Sequence, residues 1–158
     1  MSEAFVYDAI RTPRGKGKKD GSLHEVKPVT LLAGLLNDLQ QRNGFDTARV
    51  DDIVMGVVSP VGDQGSVLPK VAALKAGWDF QASGVQINRF CASGVQAVAM
   101  AADRIRLGEA DVMIAGGTET MSLMNQMMGN KIAINPAIFA REESRAIAYG
   151  MGITAEKV

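Results

Sequence analysis

Residues 87–117 read "INRFCASGVQAVAMAADRIRLGEADVMIAGG", and the way this stretch folds decides the architecture of the chain. A short apolar run ends at Asn88. A helical pattern follows, with Val95, Val98, Ala102 and Ile105 on one face and Gly108 as its terminator. "DVMIA" (Asp111–Ala115) then reads as another strand and stops at Gly116–Gly117. Strand, helix and strand in succession are the mark of a crossover unit in a parallel sheet. The only cysteine, Cys91, falls at the joint between the first strand and the helix.

The same rhythm extends towards the N-terminus. "FVYDAI" (Phe5–Ile10) is β-rich and breaks at Pro13 and Gly15. Pro28 suits a first helical position, and Val29, Leu32, Ala33, Leu36 and Leu39 repeat at helical spacing until Asn43–Gly44. "DIVMGVV" (Asp52–Val58) is a nearly unbroken apolar run, as in a strand covered on both faces. A short helix is predicted from about Ser66, with Pro69 tolerated in its first turn and Gly77 as its stop. "GVQIN" (Gly84–Asn88) is the strand that precedes the cysteine. The alternation predicts an α/β layer with a largely parallel sheet. Beyond Thr118 no clear period remains. "ITAEKV", at the end, reads as the opening of a helix with Thr154 as N-cap and Glu156 in its first turn, so the natural sequence is expected to continue past Val158.

Composition bounds the function. The 158 residues are 47% hydrophobic, enough to bury a core in one domain, and the formal net charge is zero. No global field favours nucleic acid or an anionic membrane. A single cysteine forms no internal disulfide, which fits a reducing compartment. No apolar run reaches the roughly 18 residues of a membrane span, and "MSEAFVYDAI" carries no secretory pattern, so a cytoplasmic protein is expected. The basic residues from Arg11 to Lys19 lack interleaved aromatics and read as a solvated loop. Gly62 and Gly65 are followed by no Gly-Lys-Ser/Thr and read as a turn before a helix. No cluster of histidine and cysteine exists to hold a metal. Met121, Met124, Met127 and Met128 read as gap-fillers in a core or subunit contact.

By residue type a lone cysteine is more often a small buried hydrophobe than a nucleophile. Position argues for the second reading. Ser93-Gly94-Val95-Gln96 has the form of a capping box, with Ser93 as N-cap and Gln96 as its partner. Cys91 then lies just ahead of the first turn, where unpaired backbone N–H groups and the positive end of the helix dipole favour an anion. The same N–H groups suit the oxyanion of a thioester under attack. The small neighbours Ala92, Ser93 and Gly94 leave room for substrate, and open α/β sheets place their sites at the carboxyl ends of strands. A nucleophile also needs a base. The only histidine, His24, reads as a solvated loop residue that nothing places near Cys91. Glu119 reads as structural. On the residues alone both readings of Cys91 stay open.

"NRFCASG", a helix, and then "GEADVMIAGGTETMS" closely resemble the thiolase family. So do "AIRTPRGKGKKDGSL", "VDDIVMGVVSPVGDQG" and "KVAALKAG", in the family's order and over almost the whole chain. The resemblance implies a thiolase-like α/β fold: a layered N-terminal half with a largely parallel mixed sheet over residues 1–118, then the start of a substrate-covering loop domain over 119–158. It implies an acyl-CoA C-acyltransferase, with acetyl-CoA C-acetyltransferase as the expected member, acting on fatty-acid-type thioesters by reversible Claisen condensation and thiolytic cleavage. Cys91 matches the cysteine that takes up the acyl group, and Met151 matches a methionine of the acyl pocket. Gly150 departs from the histidine that many relatives carry. Acetyl-CoA, other acyl-CoA and CoA are implied as substrates, with no separate cofactor and no metal, in a homodimer or homotetramer. The family's activating histidine, in a Gly-His-Pro motif, and its second cysteine belong to a C-terminal half that is absent here, so the 158-residue chain is expected to be inactive alone. A β-ketoacyl-synthase-type condensing enzyme and a non-catalytic thiolase-like acyl-CoA-binding or assembly protein are the alternatives.

Overall fold

The computed structural model describes residues 3–123, 137, 140–143 and 151–158. The chain divides into two compact units, residues 1–128 and 129–158. The first unit carries helix α1 (Pro28–Asn43), strand β1 (Asp52–Gly56), helix α2 (Leu68–Lys75), strand β2 (Ser83–Ile87), helix α3 (Ser93–Arg106) and strand β3 (Met113–Gly117). In the second unit the described helix is α4 (Met151–Lys157). Among the described residues no helix is long and apolar enough to cross a membrane.

The sheet has the order β2–β1–β3, and both pairings are parallel. Gly56 stands opposite both Ile87 and Gly117, so the three strands end flush at one edge. As the central strand, β1 is covered on both faces, which its apolar run predicts. Ile53 and Met55 face α1 and α2 and form the core with Leu32, Leu36, Leu68 and Ala72. Each buried leucine, isoleucine or methionine of this set contributes roughly 1.5–3 kcal/mol. Helix α1 starts on Pro28 and ends at Gly44, whose φ of 63° lets its N–H donate to the Gln40 carbonyl at 2.8 Å. Arg104 of α3 bonds Asp52 at the start of β1 at 2.8 Å, and the Asp51 carboxylate accepts the Asp111 and Val112 N–H groups at 2.7 and 3.0 Å. These contacts bind the amino end of the sheet.

Helix α3 lies on the opposite face from α1 and α2, and there the periodicity misleads. Its buried stripe is Ser93, Ala97 and Ala101, whereas Val95 and Val98 are exposed. The reason is proximity. A Cβ at Gly56 would stand 2.6 Å from Ser93 Cβ and 2.8 Å from the Ser93 carbonyl carbon, so only small side chains fit where helix and sheet meet. The predicted capping box does not form either: the N-cap is Ala92, with no side-chain cap bond.

Other expectations are corrected as well. Phe5–Ile10 is not a strand; β1 has neighbours on both sides, and without a backbone partner β-rich composition alone makes no ladder. Phe5, Val6 and Tyr7 are exposed, and the segment is tethered instead by Asp8, which accepts from Arg42 at 2.9 and 3.2 Å and from Asn43 at 2.9 Å. His24 is buried in a turn, not solvated, because bonds from His24 N–H to Gly21 and from Val26 N–H to Leu23 fold it inward. Thr154 lies inside α4 and is not its cap, since the helix already begins at Met151. Met121 is exposed, so it fills no core of this chain and the core half of its expectation falls; Met124, Met127 and Met128 lie outside the described residues. The Arg11–Lys19 stretch is a largely exposed loop, as expected, with Lys16 paired to Asp20.

Two outcomes test these packing statements. Gly56→Ala forces α3 off the sheet and should lower stability by about 1–3 kcal/mol in urea unfolding, while Val95→Ala, on the exposed face, should stay within about 0.5 kcal/mol of wild type. The Arg42 and Asn43 hydrogen bonds hold the Asp8 carboxyl below its ordinary 3.8. A lowered folded-state value means that the tether has its full strength above pH 3.8 and is lost as the pH falls through the lowered value. The acid transition in the backbone chemical shifts of Phe5–Ile10 should therefore have its midpoint below 3.8; a transition centred above that would contradict the tether.

Candidate active site

Cys91 stands between β2 and α3, at the edge where the three parallel strands end, and its side chain is exposed. The turn that carries it is held by side chains from both sides. Asn88 accepts the Phe90 N–H on Oδ1 at 2.9 Å and donates from Nδ2 to the Val58 carbonyl at 2.9 Å. The Ser93 hydroxyl accepts the Arg89 N–H at 2.8 Å and donates to the Phe90 carbonyl at 2.6 Å. Ser93 is thus engaged by the turn before the helix, which is why it cannot cap α3. Ala92 N–H and Ser93 N–H close back on Arg89 and Phe90 at 3.1 and 3.0 Å.

This turn is strained. Phe90, next to the cysteine, has a φ of 46°. A bulky side chain in the left-handed region costs on the order of 1–3 kcal/mol. Among the described residues the other non-glycine positions with positive φ are Ser66 and Val67, in the loop that leaves β1 for α2. All three therefore lie in loops that follow the carboxyl ends of strands. Strain collects where this class of sheet places its chemistry.

In the first turn of α3, the Gly94 and Val95 N–H groups have no intrahelical acceptor. A side chain at Gly94 would meet nothing within 4 Å, so that end of the helix is open. An exposed thiol, free N–H groups in the first turn and an open approach are the elements that could receive an electrophilic carbonyl and the negative charge that develops on its oxygen.

The other candidate residues divide. His24 is joined to Glu25 through Nε2 at 3.8 Å, its Nδ1 has no hydrogen-bond partner, and no contact links it to Cys91. Met151 heads α4 in the second unit and is 81% exposed. No group of three or more histidine, cysteine, aspartate or glutamate residues suited to a metal occurs among the described residues. A cavity of about 610 Å³ lies between the Thr12–Gly17 loop, α1 and Gly117–Ser122, and Cys91 does not line it.

Sequence reasoning passed over Asn88 and gave Gln64 no role. Asn88 had a readable signal, an asparagine at a strand end two residues before a turn N–H. Gln64 had none: it comes from a distant loop and is fully buried. Glu119, expected to be structural, is half-buried and accepts the Val58 N–H at 2.8 Å, the Ser59 N–H at 3.3 Å and the Gln64 amide at 2.9 Å.

Comparison with known proteins agrees with this arrangement. The family model of the thiolase N-terminal domain matches residues 4–158. A 3-ketoacyl-CoA thiolase of Bacillus subtilis is 37% identical over 158 residues, covering all of this chain and 39% of that protein. A steroid 3-ketoacyl-CoA thiolase of Mycobacterium tuberculosis is 39% identical over 122 residues, covering 77% of this chain and 30% of its own. The crystal structure of the Bacillus anthracis acetyl-CoA acetyltransferase superposes with a TM-score of 0.61 at 37% identity, covering 65% of this chain and 26% of that one. This chain thus spans about two-fifths or less of these relatives' length. With an α/β unit whose strands end flush beside a lone cysteine at a helix start, it belongs to the thiolase family, in the N-terminal domain.

Proposed function

We propose that the chain is the nucleophile-bearing part of an acyl-CoA C-acyltransferase, with acetyl-CoA as acyl donor, and that Cys91 takes up the acyl group. One observation carries this reading: the sole cysteine sits in a strained turn, bolted by Asn88 and Ser93, directly ahead of α3. The relatives' names, 3-ketoacyl-CoA thiolase and acetyl-CoA acetyltransferase, support the reaction class.

In the first half-reaction the Cys91 thiolate attacks the thioester carbonyl of acyl-CoA. An Sγ–C bond forms, the carbonyl oxygen takes the electron pair as an oxyanion, and backbone N–H groups at the start of α3 stabilise it. Collapse breaks the bond to the CoA sulfur; CoA leaves as thiolate and takes up the proton that Cys91 gave to a base. In the second half-reaction another acetyl-CoA gives an α-proton to a base, its carbanion bonds to the acyl carbon, and the C–Sγ bond breaks to return the Cys91 thiolate. In the thiolytic direction Cys91 instead attacks the 3-oxo carbon of 3-oxoacyl-CoA and the C2–C3 bond breaks. The acetyl-CoA carbanion leaves and is protonated, and CoA thiolate then takes the acyl group from Sγ. CoA thioesters are substrates here, with no separate cofactor. By family resemblance Met151 is proposed as an acyl-pocket residue. His24, buried in its own turn, is not proposed as the base. By the same resemblance the base and the second acid/base cysteine lie in a C-terminal half, and the assembly is a homodimer or homotetramer.

The expected outcome is slow, specific acylation. Incubated with acetyl-CoA, this chain should acetylate at Cys91 roughly 10²–10⁴-fold slower than a thiolase that has its base, because that is what a general base contributes. Intact mass and peptide mapping would read it, and Cys91→Ser should remove the label without unfolding the protein. Acetylation that persists in Cys91→Ser, or that maps to a lysine, would sink the assignment.

A further inference from the structure

The three strand exits are linked by one chain of hydrogen bonds that ends at the cysteine turn. Glu119 leaves β3 and turns its carboxylate onto the β1 exit, where Oε2 accepts the Val58 N–H at 2.8 Å and the Ser59 N–H at 3.3 Å. The Ser59 N–H and the Val58 carbonyl belong to the same peptide group. Its other end, the Val58 carbonyl, accepts from Asn88 Nδ2 at 2.9 Å, and Asn88 Oδ1 accepts the Phe90 N–H beside Cys91. A carboxylate on the N–H of a peptide polarises its carbonyl and strengthens the bond made there. Gln64, fully buried, fixes the carboxylate: its amide donates to Glu119 Oε1 at 2.9 Å and to the Ser59 carbonyl at 3.0 Å, and its oxygen accepts the Thr120 N–H at 2.6 Å.

We infer that Asn88 and Glu119 are positioning residues that hold the strained Asn88–Cys91 turn so that the cysteine and the N–H groups of α3 face one carbonyl. This rests on the reading of Cys91 as nucleophile. A turn with Phe90 at a φ of 46° relaxes unless its surroundings hold it, and this relay is the part of those surroundings that comes from the other two strands. Neither residue touches substrate in this role; both act through the geometry of the turn.

Because Cys91 is the only cysteine, two small probes on the chain itself separate alignment from simple exposure. Acetyl transfer from 4-nitrophenyl acetate passes through an oxyanion and needs the aligned N–H groups. Alkylation by iodoacetamide needs only an accessible thiol. In Asn88→Ala and Glu119→Gln the ratio of acylation to alkylation rate should fall at least about 10-fold, since a displacement near 1 Å can cost about 10²-fold. The alkylation rate alone should stay within about 3-fold of wild type, against losses of about 10²–10³ for a missing oxyanion donor. A purely structural role lowers the urea midpoint and leaves this ratio unchanged. Asn88 is exposed, so Asn88→Ala spares the core and stays readable even where Glu119→Gln lowers stability. An unchanged ratio in both variants overturns the positioning role and leaves the nucleophile reading standing. A wild-type chain that iodoacetamide labels and 4-nitrophenyl acetate does not overturns both.

Discussion

The contact between the last residue of the central strand and the first residue of α3 governs this structure. Gly56 presents bare backbone to Ser93, and a Cβ there would fall inside van der Waals contact of both the Ser93 side chain and its main chain. Because the helix comes so near, it meets the sheet through alanines and a serine, and its larger side chains turn outward. Because it starts so near, the link from β2 has only Asn88–Ala92 in which to reverse. That brevity drives Phe90 into the left-handed region and leaves Cys91 on the outside of the bend. A single missing methyl group thus connects strand packing to the presentation of the thiol.

The two ends of the sheet are built differently. At the amino end, Asp51 and Asp52 take backbone N–H groups and a guanidinium in direct bonds, with ordinary backbone geometry. At the carboxyl end the backbone is strained at three side-chain-bearing residues, and polar side chains from separate loops hold it in place. The first arrangement serves cohesion. The second keeps polar groups at fixed orientations beside solvent, the preorganisation that the proposed acyl transfer at Cys91 would use.

Much of this was legible in the sequence, for identifiable reasons. The strand-helix alternation, the Pro28 start and Gly44 end of α1, and the covered run of β1 follow from local chemistry, and the structure has them. The joint at Cys91 was legible for the same reason, and its family resemblance agrees with the match over residues 4–158. What failed was set by tertiary partners. Phe5–Ile10 has the composition of a strand and no ladder to join. The valines of α3 have the right period but the wrong size for an approach dictated by Gly56. Ser93 has the right spacing for a capping box, yet its hydroxyl bonds backward to Arg89 and Phe90. Glu119 and Gln64 meet across fifty-five positions of chain, a distance over which no local pattern reports.

The strand order β2–β1–β3 also has a kinetic meaning. The β1–β2 ladder closes the chain between Gly56 and Ser83, whereas the β1–β3 ladder closes it between Gly56 and Met113. The second loop is roughly twice as long, and a doubling adds only about 0.6 kcal/mol of closure entropy. Chain length therefore does little to separate the two closures, but connectivity does: the chain reaches the free side of β1 for β3 by way of the α3 crossover. The contacts among α1, α2, β1 and β2 involve no residue of α3, whereas the bend at Cys91 joins β2 to α3. The thiol thus sits at the junction between two closures of different span, the short one that pairs β1 with β2 and the long one that pairs β1 with β3.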